Sequence, residues 1–410
     1  MKQNMKKRTI LSLEQALSLP YATQRFVHLG WRVIRMETPQ PFLKNGEKSS
    51  VLGGDPNRYI GADTGVEDLH SYFIAPNIGK EAITVNLKMK EGRELVKKII
   101  KDLNVDIFMC NVLPVRYKQL GIDFETLKEA NPNLVWCGIS ALGPDYPNFA
   151  GYDPALQALL GYMHLTGDPN GDPMLCGLPV IDLKAGDEAF TQVLLALLEE
   201  KDKSGGKEIF ISMGQALTSW LITALPELVL NSDQPEKIMR SGNEHRSFIP
   251  CNCYPTKDGY VYLAIGNDSQ WEKLTHIKGF EHTLKPNRIT NEERKKDKNN
   301  IYDDIRHGTK LYSTDELMKI FLANNLAASP VNTIQDISLQ DFVKNNMLKT
   351  DLPSGKEASL YPPALKTEFL SAKNMKLNCA PRLGEHNRSI LKEIGFDEEE
   401  IINMKQEGTI

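Results

Sequence analysis

A chain of 410 residues is longer than one ordinary domain and long enough to bury large cores, so two domains are expected. A hydrophobic share of 41% and a charged share of 25% are those of a soluble globular protein. The formal net charge of −4 gives no support to a nucleic-acid or membrane partner and leaves room only for local basic patches toward a phosphorylated ligand.

The first residues, MKQNMKKRTI, are basic, but neither an apolar stretch nor a small-residue cleavage site follows them. No apolar run reaches membrane-spanning length, so a cytoplasmic protein is expected. The N-terminal half then alternates helix-like and strand-like segments, the pattern of an α/β sheet with crossover helices. A helix from about Pro20 to Leu29 leads to a strand at Arg32–Met36, and Ile83–Leu87 reads as another strand. Glu91–Leu103 carries Leu95, Val96, Ile99, Ile100 and Leu103 as one apolar stripe of a helix. Val105–Met109 and Leu134–Ile139 are short apolar runs, as buried parallel strands tend to be.

Asp153-Pro154 reads as a helix start with Asp153 as N-cap. A Gly/Pro-rich loop from Gly167 to Pro179 enters a second helix, Leu183 to about Leu198, with a face that runs from small to large apolar residues. Ile209–Ser212 reads as a strand and Gln215–Leu230 as one long helix. Asn231–Pro250 is polar and turn-rich, Asp258-Gly259 introduces a strand at Tyr260–Ile265, and the Lys/Asn-rich stretch Lys285–Asn300 reads as a solvated loop. A capping box at Ser313–Glu316 opens a further helix, and the tail holds helical segments at Asn387–Ile394 and around Glu398. The simplest division is a large α/β domain over 1–215, a small domain with linkers over 216–330, and a C-terminal return to the large domain over 331–410.

Several chemistries are excluded by what is missing. No GxGxxG follows a strand, and no GxxxxGK[ST], GxSxG or HExxH occurs, which removes dinucleotide, P-loop, α/β-hydrolase and zincin sites of the usual kind. The eight histidines are scattered. Of the six cysteines, only Cys251 and Cys253 lie close, in a lone CxC, so reduced structural thiols are expected rather than a metal site. Attention falls on Asp182 in IDLKAG, a single carboxylate at the threshold of a helix. Two readings are open for it: a helix cap, worth about 1 kcal/mol, or a nucleophile.

The segments LSLPYATQRFVHLGWRVIRMETP (from Leu17), NIGKEAITVNLKMKEGREL, LGIDFETLKEANPNLVWCGISALGP and GYDPALQALLGYMHLTGDP follow one another in order. After them come PVIDLKAG, SGGKEIFISM, PCNCYPTKDGYVYLAIGNDSQWEKL and APRLGEHNRSILKEIGF. In order and spacing these resemble the class III CoA-transferases, which include carnitine and bile-acid CoA-transferases, formyl-CoA transferase and the α-methylacyl-CoA racemases. The resemblance implies a large Rossmann-like α/β domain, a smaller α+β domain, and two subunits interlocked as an obligate homodimer. It implies an enzyme that moves CoA from an acyl-CoA donor to a small carboxylic acid through an aspartyl anhydride and an aspartyl-CoA thioester. Coenzyme A would be a co-substrate, with no permanently bound cofactor and no metal.

Carried over by the same resemblance, Asp182 is the nucleophile and Tyr152 with Asp153 the aromatic–acidic pair beside it. Gly266, in the loop Ala264–Asp268, is the oxyanion candidate, and Lys80, Arg93, Arg35 and Leu17 lie on the coenzyme A side. The chain departs from the family pattern at Thr38, where a basic residue is usual, at Gln119 in place of an Arg, and at Ser18-Leu19-Pro20 in place of AGP. Two alternatives accompany this reading: a 2-methylacyl-CoA racemase or epimerase, against which Tyr152 stands where those enzymes have His, and a non-catalytic subunit of a hetero-oligomer of related chains. The acid is left open, its pocket walls being expected from Gln40–Asp68 and Gly167–Pro179.

Overall fold

The computed structural model describes residues 6–41, 52–199, 205–230 and 238–410; residues 42–51 of the expected Gln40–Asp68 wall lie outside them. Two compact units emerge. The first comprises Met1–Leu160, Gly177–Glu227 and Phe342–Ile410, and the second Gly161–Cys176 with Leu228–Asp341. The large unit thus reaches beyond residue 215, because Met213, Ala216 and Leu217 are buried after its last strand. Residues 161–176 leave it on an excursion that the sequence reading did not anticipate.

The first unit is built on six parallel strands: β1 (Thr9–Leu13), β2 (Arg32–Glu37), β3 (Glu81–Thr84), β4 (Ile107–Cys110), β5 (Val135–Ser140) and β6 (Lys207–Ser212). Their order is 3-2-1-4-5-6, so the chain winds outward from β1 in one direction and then from β4 in the other. β1 is the strand the sequence reading missed. It lies at the centre of the sheet, with Ile10 and Leu11 fully buried. Alternation along β2 sends Ile34 and Met36 to one face, where they share a core with Leu11, Phe108, Val96 and Ile99. Arg35 goes to the opposite face.

The return segment completes this unit by covering its edge. β3 is an outer strand, and its backbone groups are paired by the tail: Ala82 accepts from His386 N at 2.9 Å and Thr84 N donates to Asn387 Oδ1 at 2.8 Å. Ile390 and Leu391 of the Asn387–Glu393 helix join the core beneath it. Two packed helices, Ser18–His28 and Val180–Glu199, lie together elsewhere in the unit, with Gly186 at their closest approach: a Cβ there would stand 2.7 Å from Ser18 O.

The second unit has an antiparallel sheet of β7 (Cys251–Pro255), β8 (Tyr260–Ala264) and β9 (Ala327–Pro330), in that order. Its core gathers Tyr254, Val261, Leu263, Trp271, Phe280, Ile305 and Phe321. The Ser313–Glu316 capping box is present and opens the helix Thr314–Ala323. The stretch read as a solvated loop is instead helical, at Asn291–Lys296 and Lys298–Thr309. Two of its arginines explain the difference. Arg288 is buried against Asp297 and Asp304, at 2.7 and 2.6 Å, and Arg294 against Asp268 and the Ile249 carbonyl, at 2.6 and 2.7 Å. Charges that look solvated in sequence are internal ion pairs here.

The long helix expected over Gln215–Leu230 is also interrupted, into Met213–Thr218, a 3-10 turn at Ser219–Ile222, and Ala224–Leu230. Thr218 and Ser219 bond back to the carbonyls of Gly214 and Ala216, both at 2.7 Å, and Pro226 has no N–H to continue the ladder. No helix among the described residues is long and apolar enough to cross a membrane.

Candidate active site

Parallel strands end together, so the turns that follow them gather at one edge of the sheet, and a crevice forms where the winding direction reverses. The chain has a cleft of about 410 Å³ there, lined by first-unit residues that follow each of the six strands. Gln15, Ala16 and Ser18 come after β1, Thr38 after β2, Val85–Lys88 after β3, Asn111–Leu113 and Arg116 after β4, Ser140 and Ala141 after β5, and Met213 after β6. Tyr152 and Asp182 close the wall.

Asp182 is the third residue of the Val180–Glu199 helix, which begins three residues before the Leu183 start expected from the sequence, so the carboxylate lies inside the first turn rather than ahead of it. It is therefore not the cap. The first amides of this helix are taken by Asp153, whose Oδ2 accepts from Ile181 N at 2.7 Å and from Asp182 N at 3.2 Å. Asp153 is only 5% exposed, and its other oxygen accepts from Gln157 Nε2 at 2.6 Å. Nor does Asp153 cap its own helix, Asp153–Leu159, which begins after Tyr152 without a side-chain cap. One carboxylate satisfies the helix start and frees the other.

The freed carboxylate is electrostatically unusual. Burial pushes Asp182 up from the ordinary 3.8 to about 7, the nearby Asp153 charge adds to the rise, and a hydrogen bond with Ser18 opposes it. Ser18 is itself buried at the start of the Ser18–His28 helix, and the absence of a side chain at Gly186, one turn beyond Asp182, lets that helix come close. Tyr72, from the short helix Ser71–Ile74, belongs to the same surroundings: burial raises its phenol, and Asp182 and then Asp153 raise it further.

Asp153→Asn separates these influences. The amide oxygen still caps the helix, while the charge that helps to lift Asp182 is gone. The Asp182 titration midpoint, followed by carboxyl carbon NMR, is expected to fall below 7 by roughly half to one pH unit. A midpoint that stays or rises would show that burial alone sets it.

Of the other residues singled out in the sequence, Tyr152 lines the cleft and is 76% exposed, so it is not a core residue. Arg93 lies at the cleft edge, donating to the Leu87 and Lys88 carbonyls, both at 3.1 Å, so it braces the lining rather than facing it. Leu17 is half-buried between two lining residues, its carbonyl accepting from Tyr21 N at 2.9 Å.

Arg35 and Lys80 require correction. Both are buried, and their donors are spent inside the protein: Arg35 on Glu37 and Asp55 at 3.0 and 3.2 Å, Lys80 on Glu14, Asn77 and the Pro20 carbonyl at 2.7, 2.9 and 2.9 Å. Arg58 completes this set on Glu37, and burial brings the Lys80 ammonium down to about 8. None of these three cations lines the cleft. Gly266 stands in the second unit, as expected of a small-domain loop, but its amide donates to Gln270 Oε1 at 2.8 Å and is therefore not an open donor in this structure.

The cations that do line the cleft are Lys88 and Arg116, both exposed, and neither was singled out. A signal existed, since both follow strands of the parallel sheet. Gln15 was missed because β1 was unrecognised, and Asn111 because its role is to bond the Gln15 backbone in the turn that follows β1.

Fold and cleft together define a doubly wound α/β protein with a cleft at the carboxyl ends of its strands. More particularly, the chain belongs to CoA-transferase family III, whose family model matches residues 5–387. It is 28% identical to a succinate–glutarate CoA-transferase of Agrobacterium fabrum over 94% of both chains. It is 26% identical to human succinyl-CoA:glutarate CoA-transferase, over 98% of this chain and 88% of that one. Among solved structures it resembles a CAIB/BAIF family protein from Brucella suis, with a TM-score of 0.80 and 27% identity over 94% of this chain and 98% of the other.

Proposed function

We propose that the protein is an acyl-CoA:carboxylate CoA-transferase with Asp182 as its nucleophile and a short dicarboxylic acid among its acids. The observation that carries this reading is a desolvated carboxylate, relieved of capping by Asp153, facing a cleft at the switch point of a family III chain. The dicarboxylate rests on the names of the two relatives just described.

The ionised Asp182 attacks the thioester carbonyl, the C–S bond breaks, and CoA leaves as thiolate, giving a mixed anhydride. The thiolate then attacks the aspartyl carbonyl, releasing the donor acid and leaving an aspartyl-CoA thioester. The acceptor carboxylate attacks that thioester to form a second anhydride, which the thiolate opens at the acceptor carbonyl to give the new acyl-CoA and free Asp182. No proton needs to be stored. Ser18 keeps the carboxylate oriented, Tyr152 forms part of the wall beside it, and Lys88 and Arg116 meet the anionic groups of coenzyme A.

Coenzyme A is thus a co-substrate rather than a resident cofactor. The working state in this proposal is an interlocked homodimer in the cytoplasm. Support for a partner chain comes from apolar side chains left in solvent, Ile222 at 75%, Val229 at 72% and Leu230 at 83% exposure. Support for a reducing compartment comes from six free cysteines.

Incubation with succinyl-CoA and hydroxylamine, followed by peptide mass mapping, tests the covalent route. A hydroxamate on the Asp182 peptide that depends on acyl-CoA is expected. If no member of an acyl-CoA panel gives that label, or the label lands elsewhere, Asp182 is not the nucleophile.

A further inference from the structure

The turn between β1 and the Ser18–His28 helix is held by side chains at every backbone polar group of two successive residues. Gln15 N donates to Asn111 Oδ1 at 3.1 Å, and Gln15 O accepts from Asn111 Nδ2 at 2.7 Å. Ala16 N donates to Asp55 Oδ1 at 3.2 Å, and Ala16 O accepts from Asn57 Nδ2 at 2.9 Å. Ala16 has φ +60°, a left-handed conformation that a residue with a Cβ rarely adopts.

Glycine would enter this conformation without strain, but it would leave it as easily. Alanine with a clamp gives the same turn and no freedom. The clamp is itself anchored: Asp55 N donates to Glu37 Oε1 at 2.9 Å, Arg35 Nη2 donates to Asp55 Oδ2 at 3.2 Å, and Asn57 N donates to Asp55 Oδ1 at 3.0 Å. Asp55 and Asn57 are 2% and 8% exposed, and neither lines the cleft. Two residues beyond Ala16 stands Ser18, which lines the cleft together with Asp182.

Resting on the reading of Asp182 as nucleophile, the geometry points to Asn57 as a positioning residue for the covalent step: with Asp55 it locks Ala16 in the left-handed conformation and so sets Ser18 against Asp182. The buried ion network is the foundation of this lock. Arg35, read in the sequence as a coenzyme A contact, bears on this turn through Asp55 and the Glu14 carbonyl, at 3.2 and 3.5 Å.

The test crosses Asn57→Ala with Ala16→Gly in the full chain. Single-turnover CoA release from succinyl-CoA is expected to fall at least about tenfold in N57A and to recover at least about threefold in the double variant, because glycine tolerates the turn without its clamp. A rate within twofold of wild type in N57A overturns the proposal, and so does a double variant slower than N57A. Thermal unfolding separates this from the transferase reading. If the wild-type protein releases CoA from no donor, that reading fails on its own. The clamp is then judged by the melts: a Tm for A16G/N57A above that of N57A upholds the lock, and an equal or lower one overturns it.

Discussion

Asp182→Asn is expected to lower CoA transfer by at least about a thousandfold while leaving the fold intact, because the amide cannot form an anhydride. Loss of a helix cap is not a competing explanation, since Asp153 caps that helix. The same substitution is expected to stabilise the protein, and in a pH-dependent way. Burial and the Asp153 charge place the folded-state value near 7, above the ordinary 3.8, so the folded chain holds the proton more tightly than the unfolded one. The stability tied to that proton is complete below about 4 and is lost as the pH rises through 7. Asparagine loses nothing over this range. The shift sets a ceiling of about 4 kcal/mol, and with water reaching part of the carboxylate about 2 kcal/mol is expected. Thermal unfolding should therefore show little difference between variant and wild type at pH 4 and a clear advantage for the variant at pH 8. A variant that retains transfer, or an advantage that does not grow with pH, contradicts the role given to Asp182.

The parallel core was legible because buried strands are nearly continuous apolar runs and amphipathic helices carry a period: the Lys90–Asp102 helix has its stripe where the sequence put it. The centre of the sheet was not. TILSL follows a basic run and is only five residues long, so its burial comes from the two neighbours that hydrogen-bond to it rather than from its own composition. The site divides in the same way. Asp182 and Tyr152 stood out because they sit in segments whose order resembles a family, whereas the environment of a charge cannot be read from its type. Arg35, Lys80, Arg288 and Arg294 look like surface cations in one dimension and are internal ion pairs in three. Conversely, Lys88 lies eight residues from Lys80 in the same segment and is exposed in the cleft. What distinguishes the two lysines is position: Lys80 precedes β3 and Lys88 follows it.

Gly186→Ala tests the packing on which this geometry depends. In an exposed helix the change would stabilise by about 1 kcal/mol, since alanine has the higher helix propensity. Here the new methyl would stand 2.7 Å from the Ser18 carbonyl oxygen and 2.7 Å from Tyr21 Cδ1. The first of these is backbone at the start of a buried helix and cannot rotate away. Overpacking of this kind costs about 1–3 kcal/mol, so a net loss of about 1–2 kcal/mol is expected in chemical denaturation. The larger effect falls on the site. Moving the two helices apart withdraws Ser18 from Asp182, and with it an influence that favours the ionised carboxylate. Asp182 should then titrate higher and attack more slowly at neutral pH, with transfer reduced at least about tenfold at temperatures where the variant is folded. Raising the pH should restore part of that rate, which a merely unfolded fraction would not do. A variant that is stabilised and transfers CoA at the wild-type rate would mean that helix propensity outweighs contact at this crossing, and that the approach of Ser18 to Asp182 does not depend on glycine.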